Sequence, residues 1–331
     1  MPHSTPPKVT VFIPVYNREL YIGDAIRSIL EQRFQGFEIL LVDDGSTDKS
    51  LDVIRSFKDP RITVACNEKN LGIPRTRNRG LELAKGEFIA LLDSDDRAHP
   101  DRLHKQVAFL DDHPQYAQVG SWVQLMDRQG IALKRIKRQP VTPEEIKGEL
   151  LFRCCLSNRT IMGRTQILKQ FGYRNDFPRC QDYDLHVRLS TQFKMGNIPE
   201  CLVFGRIHPQ QITALTPDLG DSKKCEIISF QLENLGVEYS AADLTPHLTL
   251  SRMRKLKFVP KAAYLRWAET WLLQLLRANQ VTQVYSPDAF VKIIQKKWAH
   301  TCVRAIKGLG VAGFIKLISS PLSRAIFVGK P

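Results

Sequence analysis

Residues 88–96 read Phe-Ile-Ala-Leu-Leu-Asp-Ser-Asp-Asp, and this stretch constrains the 331-residue chain more than any other. An apolar run of this length, broken sharply by polar residues, reads as a strand buried on both faces. The strand delivers two carboxylates, Asp93 and Asp95, at its exit. Residues i and i+2 of an extended backbone point the same way, so the two carboxylates repel each other unless a cation lies between them. A hard divalent cation, Mg²⁺ or Mn²⁺, suits such oxygen ligands and accepts phosphate oxygens as well. An exposed acidic loop, or a cap for the helix opening at Pro100, accounts for this segment equally well when it is taken alone.

The same pattern of strand and polar turn occurs earlier in the chain. Val9–Pro14, Glu38–Asp43 and Arg61–Ala65 read as strands. Helical spacing follows at Tyr21–Leu30, from Asp48 onward, over 74–85 and over 100–113. Strands alternating with helices predict an α/β fold, a mostly parallel sheet flanked by helices on both sides. Ligands of such sheets bind at the carboxyl ends of the strands. The polar clusters Tyr16-Asn17-Arg18, Asp43-Asp44-Gly45-Ser46 and Asp93-Ser94-Asp95-Asp96 are therefore expected along one edge. Gly45, Ser46 and Asp48 are ordinary turn and cap residues, but capping leaves Asp43 unexplained, and it suits a base or ribose. Tyr16 is fit to stack on a nucleobase and Arg18 to reach a phosphate. Arg75, Arg77 and Arg79 open the third helix, where guanidinium groups at a helix N-terminus suit a diphosphate; a solvated basic face is the competing explanation.

Further along, 117–126 and 201–207 read as strands, 144–152 and 181–191 as helices, and 209–221 as a linker. The expected organisation is an α/β domain over 1–215 and a basic helical region over 216–331.

Four segments together carry a family resemblance: FIPVYNRELYIGDAIRSILEQ, VDDGSTDKSLDVI, NEKNLGIPRTRNRGLELAKGEFIALLDSDDRAHPDRLHKQVAFL and CQDYDLHVRLS. In this order and spacing the chain resembles the family 2 glycosyltransferases over roughly residues 8–215. The resemblance implies the GT-A fold, a Rossmann-like sheet that binds nucleotide sugars. It implies an inverting transferase with a nucleotide-diphospho-sugar donor, a divalent metal and a glycan or lipid-linked glycan acceptor. Carried over by position, Pro14, Tyr16 and Arg18 match the first nucleotide-contact segment, in which the last position is often acidic. Asp43 matches the base-contacting carboxylate, and Arg77 the arginine before the family's Asn. Asp93 and Asp95, with Ser94 between them, match the D-x-D pair for ribose and metal-diphosphate. Asp182 matches the catalytic base, preceded here by Gln181 where the family has Glu. His208 falls in a segment that closes over the site in many members, and is a candidate metal or phosphate ligand, with a surface or capping histidine the equal alternative. A non-catalytic nucleotide-sugar-binding scaffold is the rival reading. A nicotinamide oxidoreductase would need glycines after the first strand, and that turn is Pro-Val-Tyr-Asn-Arg-Glu-Leu.

The charge is uneven. Of the formal net charge of +14, residues 248–331 hold +13, with fifteen Lys or Arg against Glu269 and Asp288. Such a segment suits an anionic membrane surface or an acidic partner. Nucleic acid is not expected, because no helix-turn-helix, zinc or RNA-binding signature accompanies the charge. Over 288–306 one helical face carries Val291, Ile294, Trp298, Cys302 and Ala305, and the opposite face Lys292, Lys296, His300 and Arg304. Over 263–277, Tyr264, Trp267, Ala268, Trp271, Leu272 and Leu275 form a second apolar stripe. These helices are expected either to pack on the rest of the chain or in an oligomer, or to lie on an inner membrane face. Seven cysteines without a Cys-x-x-Cys pair, no secretion signal and no apolar span of membrane length point to a cytoplasmic protein.

Overall fold

The computed structural model describes residues 6–208, 219–253, 258–311, 315–316 and 319–323. The chain divides into two compact units, one of residues 1–143 with 154–217 and one of residues 144–153 with 218–331. The helix expected at 144–152 therefore belongs with the C-terminal helices, although its sequence lies within the first unit.

In the first unit, β1 (Val9–Val15), β2 (Phe37–Asp43), β3 (Ile62–Cys66) and β4 (Phe88–Leu91) are parallel in the order β3-β2-β1-β4. Their apolar runs become core: Val11, Phe12, Ile13, Ile39, Leu41, Ile89 and Ala90 are almost wholly buried. The edge strand β3 is the exception, with Thr63, Val64 and Cys66 exposed. Helices α1 (Ile22–Leu30), α2 (Ser50–Ser56), α3 (Ile73–Leu83) and α4 (Arg102–Asp112) fall where helical spacing predicts them. Gly80 is required in α3, since a Cβ there would meet the Phe12 ring at 2.4 Å.

Beyond β4 the sheet becomes mixed. It continues through β5 (Arg97–Ala98), β6 (Tyr116–Met126), β7 (Ala132–Lys137), β8 (Met162–Arg164) and β9 (Lys194–Arg206). β8 joins β4 to β6 by antiparallel pairing, β6 and β9 are parallel, and β5 closes antiparallel on β9. The strand expected at 201–207 is thus thirteen residues long. Helices α6 (Thr165–Phe171) and α7 (Gln181–Ser190) complete the unit.

The second unit holds α5 (Pro143–Leu150), α8 (Leu219–Asn234), α9 (Ala241–Arg252), α10 (Ala262–Thr282) and α11 (Pro287–Leu309). The expected linker therefore ends early, because α8 begins at Leu219; residues 209–218 lie outside the described ones. Both apolar stripes lie in this unit's own core. Ala268, Trp271, Leu272 and Leu275 of α10 and Ile294, Trp298, Cys302 and Ala305 of α11 are buried together. Tyr264 and Trp267 pack at the margin of that core, and Val291 is exposed. Lys297 is buried, with Nζ 3.0 Å from Glu149 Oε2 and 4.8 Å from the Phe152 ring centre. Lys292, Lys296 and Lys307 face solvent. Most of the apolar tail over 311–330 lies outside the described residues. Among the described residues no helix is long and apolar enough to cross a membrane.

Candidate active site

Parallel pairing fixes where the polar turns meet. β1 lies between β2 and β4, with Val15 opposite Asp43 and Phe12 opposite Leu91. The three clusters leave the same edge of the sheet, as strand order and direction require. Asn17 ties the first to the second. Its backbone is left-handed (φ 51°), its N–H donates to Ser46 Oγ at 3.0 Å, and its Oδ1 accepts from Thr47 N–H at 2.8 Å. Arg18 donates from Nη1 to Asn17 O and from its backbone N–H to Ser50 Oγ. Pro14 is half-buried in β1, and Tyr16 stands 42% exposed at the edge.

Asp43 and Asp44 have different tasks. Asp44 is a buried hub: Oδ1 accepts from Asn67 Nδ2 (2.7 Å) and Leu71 N–H (2.9 Å), and Oδ2 from Gly72 N–H (3.0 Å). This fixes the loop that starts α3. Asp43, 1% exposed, accepts from Ser46 N–H through Oδ2 and leaves Oδ1 without a partner. The three arginines of α3 separate: Arg75 is exposed, while Arg79 donates to Cys66 O and Asn67 Oδ1. The expected diphosphate cluster therefore reduces to Arg77. It is buried, its guanidinium lies 5.4 Å from the Tyr173 ring centre, and its Nη1 has no partner.

At the end of β4, Asp93, Asp95 and Asp96 each bring a carboxylate oxygen within 4.8 Å of the others. Ser94 between them is buried. Asp96 is fully buried and already engaged. Its Oδ1 accepts from Arg159 Nη1 (2.9 Å) and Arg206 N–H (2.9 Å), and its Oδ2 lies 2.8 Å from Arg159 Nη1. Burial pushes this carboxyl well up, and the Arg159 guanidinium pulls against it. Arg159 Nε also lies 3.4 Å from Asp93 Oδ2. Asp95 Oδ2 meets His208 Nε2 at 2.7 Å, and the buried His208 Nδ1 has no partner. Arg206 holds the turn by donating to Asp95 O at 2.8 Å and Asp24 Oδ2 at 3.0 Å.

Asp182 lies in the first turn of α7, one residue past its start and not at the cap. Cys180 caps the helix in the left-handed region (φ 60°), and Asp182 Oδ1 accepts from Tyr183 N–H at 2.9 Å. Asp184 is the structural acid, with Arg174 and Arg188 each at 2.9 Å. Leu185, Val187 and Leu189 are buried, as their spacing predicts. Tyr173 joins the two sides of the site. Burial pushes its hydroxyl up to about 12; Asp182 and Asp93 act in the same direction, and Arg77 opposes them. Arg77, Asp93 and Asp182 therefore all act on one phenol, with the Arg77 guanidinium 5.4 Å from its ring centre.

The profile of glycosyl transferase family 2 matches residues 10–168. An uncharacterized glycosyltransferase of Methanocaldococcus jannaschii is 34% identical over 206 residues, spanning 61% of this chain and 71% of that one. The chain belongs to glycosyl transferase family 2. The putative glycosyltransferase EpsE of Bacillus subtilis is also 34% identical, over 59% of this glycosyltransferase and 72% of EpsE. Among solved structures, TarS residues 1–349 of S. aureus with UDP-GlcNAc superposes with a TM-score of 0.58 at 18% identity, covering 98% of this chain and 92% of that one. The mannosyltransferase PcManGT of Pyrobaculum calidifontis, with GDP-Man and Mn²⁺, reaches 0.50 at 16% identity over 98% and 80%. At these identities the likeness is one of fold.

The residues of the glycosyltransferase fit a divalent cation. Asp96 is taken by Arg159 and Arg206, which leaves the carboxylates of Asp93 and Asp95, with the His208 imidazole against Asp95. The carboxylate oxygens are hard donors of the kind that Mn²⁺ and Mg²⁺ accept, and the imidazole is placed to orient one of them. Arg159, Arg206 and Tyr173 were not evident from sequence. The available signal was the charge of three acids in four residues, which requires a counter-charge from elsewhere in the chain.

Proposed function

We propose that this glycosyltransferase uses a nucleotide-diphospho-sugar donor and Mg²⁺ or Mn²⁺, and transfers the sugar with inversion to a hydroxyl of a glycan or lipid-linked glycan, with Asp182 as general base. One observation carries the reading. Buried polar atoms without partners, Asp43 Oδ1 and Arg77 Nη1, flank the acidic exit of β4 on one sheet edge. Buried groups of this kind are costly unless a ligand satisfies them.

Asp43 accepts an N–H of the base, and exposed Tyr16 stacks on its ring. Pro14, Arg18 and Ser94 line the nucleotide. Arg77 takes a phosphate oxygen. Asp93 serves ribose and metal, and Asp95 and His208 the metal. When bound, the cation stabilises the charge that grows on the departing diphosphate. Asp182 accepts the acceptor hydroxyl proton as that oxygen bonds to the anomeric carbon. The bond to the diphosphate oxygen breaks on the opposite face, so the configuration inverts. The ligands in the TarS and PcManGT structures support the donor class, and similarity to TuaG, a putative teichuronic acid biosynthesis glycosyltransferase of Bacillus subtilis, supports a glycan acceptor.

A panel of nucleotide sugars, titrated with Mn²⁺ against the full chain and then offered free and lipid-linked oligosaccharides, tests this. Asp182→Asn is expected to abolish transfer while donor affinity stays within about threefold, because the base acts only on the acceptor. Donor binding that collapses in Asp182→Asn, or a product that retains the anomeric configuration, would refute the assignment.

A further inference from the structure

Arg159 projects from a single 3-10 turn, Asn158–Thr160, that is held on both sides. Thr160 Oγ1 donates to Ser157 O (2.8 Å) and accepts from Ser121 N–H (3.1 Å), and Tyr173 OH lies 3.4 Å from Asn158 Oδ1. The side chain cannot swing freely from such a base. Its Nη1 donates to Asp96 Oδ1 at 2.9 Å and lies 2.8 Å from Oδ2, and its Nε is ion-paired with Asp93 Oδ2 at 3.4 Å. Nη2 makes no hydrogen bond among the described residues, and the side chain remains 20% exposed. A diphosphate approaching Asp93, Asp95 and Asp96 would meet an acidic cluster whose carboxylate oxygens lie within 4.8 Å of one another. A fixed cation with one free N–H edge changes that balance.

We propose that Arg159 is a donor-contact residue: anchored by Asp93 and Asp96, it presents its remaining N–H edge to the donor's diphosphate. The inference rests on the donor site proposed above. A guanidinium already held by carboxylates needs no reorganisation when the leaving group departs, and this is where fixed charge is most effective.

The test uses the full chain with Arg159→Gln, Arg159→Lys and the double variant Arg159→Gln/Asp96→Asn, which removes the buried Asp96 carboxylate together with its guanidinium partner. Calorimetry measures the common nucleoside diphosphates and monophosphates at saturating Mn²⁺, and electron paramagnetic resonance measures Mn²⁺ alone. Diphosphate affinity is expected to fall by about tenfold in both glutamine variants and to recover in part with lysine. Monophosphate and Mn²⁺ affinities are expected to stay within about threefold. The inference is overturned if diphosphate affinity holds in both glutamine variants, or if all three affinities fall together, as a merely structural role would require. A wild-type chain that binds no nucleoside diphosphate with Mn²⁺ would sink the donor-site reading itself, and the two failures are distinguishable.

Discussion

Asp44 ties the start of α3 to the sheet, and Asp44→Asn measures how strongly. The carboxylate accepts three hydrogen bonds, from Asn67 Nδ2, Leu71 N–H and Gly72 N–H, at 4% exposure. An asparagine of the same shape has a single acceptor atom. Whichever way the amide turns, its NH₂ faces at least one donor and strands it. A stranded buried donor costs about 1–3 kcal/mol, and the surviving bonds lose their charge-assisted share, about 1 kcal/mol each. The total is about 3 kcal/mol, concentrated in the loop 67–72. Amide exchange in this segment should then accelerate by about a hundredfold, with little change at β1 or β4. Because Gly72 (φ 86°) sets the first turn of α3, donor affinity through Arg77 should weaken as well. Exchange followed by mass spectrometry on peptides spanning 67–76 reads the effect directly. An acceleration below about tenfold would refute the account of Asp44 as the hub.

Two further outcomes follow from buried charge. Burial lowers His186 and His247 from 6.5 to about 4. Each therefore folds neutral, so its contribution is full above pH 6.5 and is lost as pH falls toward 4, by about 3 kcal/mol. His247 has no room for a second proton, since Nδ1 accepts from Trp271 Nε1 (2.9 Å) and Nε2 faces Leu151 O (2.9 Å). Urea midpoints between pH 7.5 and 4.5 should fall less steeply in His247→Gln, and an unchanged slope would contradict this. The pair Glu149–Lys297 should be strongly coupled. Glu149→Gln alone leaves Lys297 uncompensated and costs about 3–5 kcal/mol, whereas Glu149→Gln/Lys297→Met costs less than the two single changes summed. Additive losses in urea unfolding would show that the pair does not interact.

What could be read from the sequence was local. β1, β2 and β4 are contiguous apolar runs that end in polar turns, so strand, direction and exposed edge followed together. β5 and β8 have two and three residues, too short to show a period. β9 begins at Lys194 and includes Gly196 and Asn197, which hide its first half. Arg159 meets Asp96 across 63 residues of sequence, and no spacing rule reaches that far. The three arginines of α3 looked equivalent until the fold placed one over Tyr173 and turned another back onto Asn67. The stripes of α10 and α11 were legible as amphipathic, but not what each would face. A hydrophobic face shows that something covers it and not what covers it.

Residues 144–153 have a consequence for how this protein is made and divided. Leu151 and Phe152 are synthesised well before Trp271, Leu275, Ile294 and Trp298, with which they share a core. The helical unit therefore cannot be completed until nearly the whole chain has left the ribosome, and until then α5 carries its apolar face unmatched. A cut near residue 215 does not separate two modules. It leaves the first fragment carrying Leu151 and Phe152 without the core that buries them, and deprives the second of the helix that supplies Glu149 to Lys297. Sequence order and structural membership diverge here, and a fragment that keeps the helical unit must retain residues 144–153 along with 218–331.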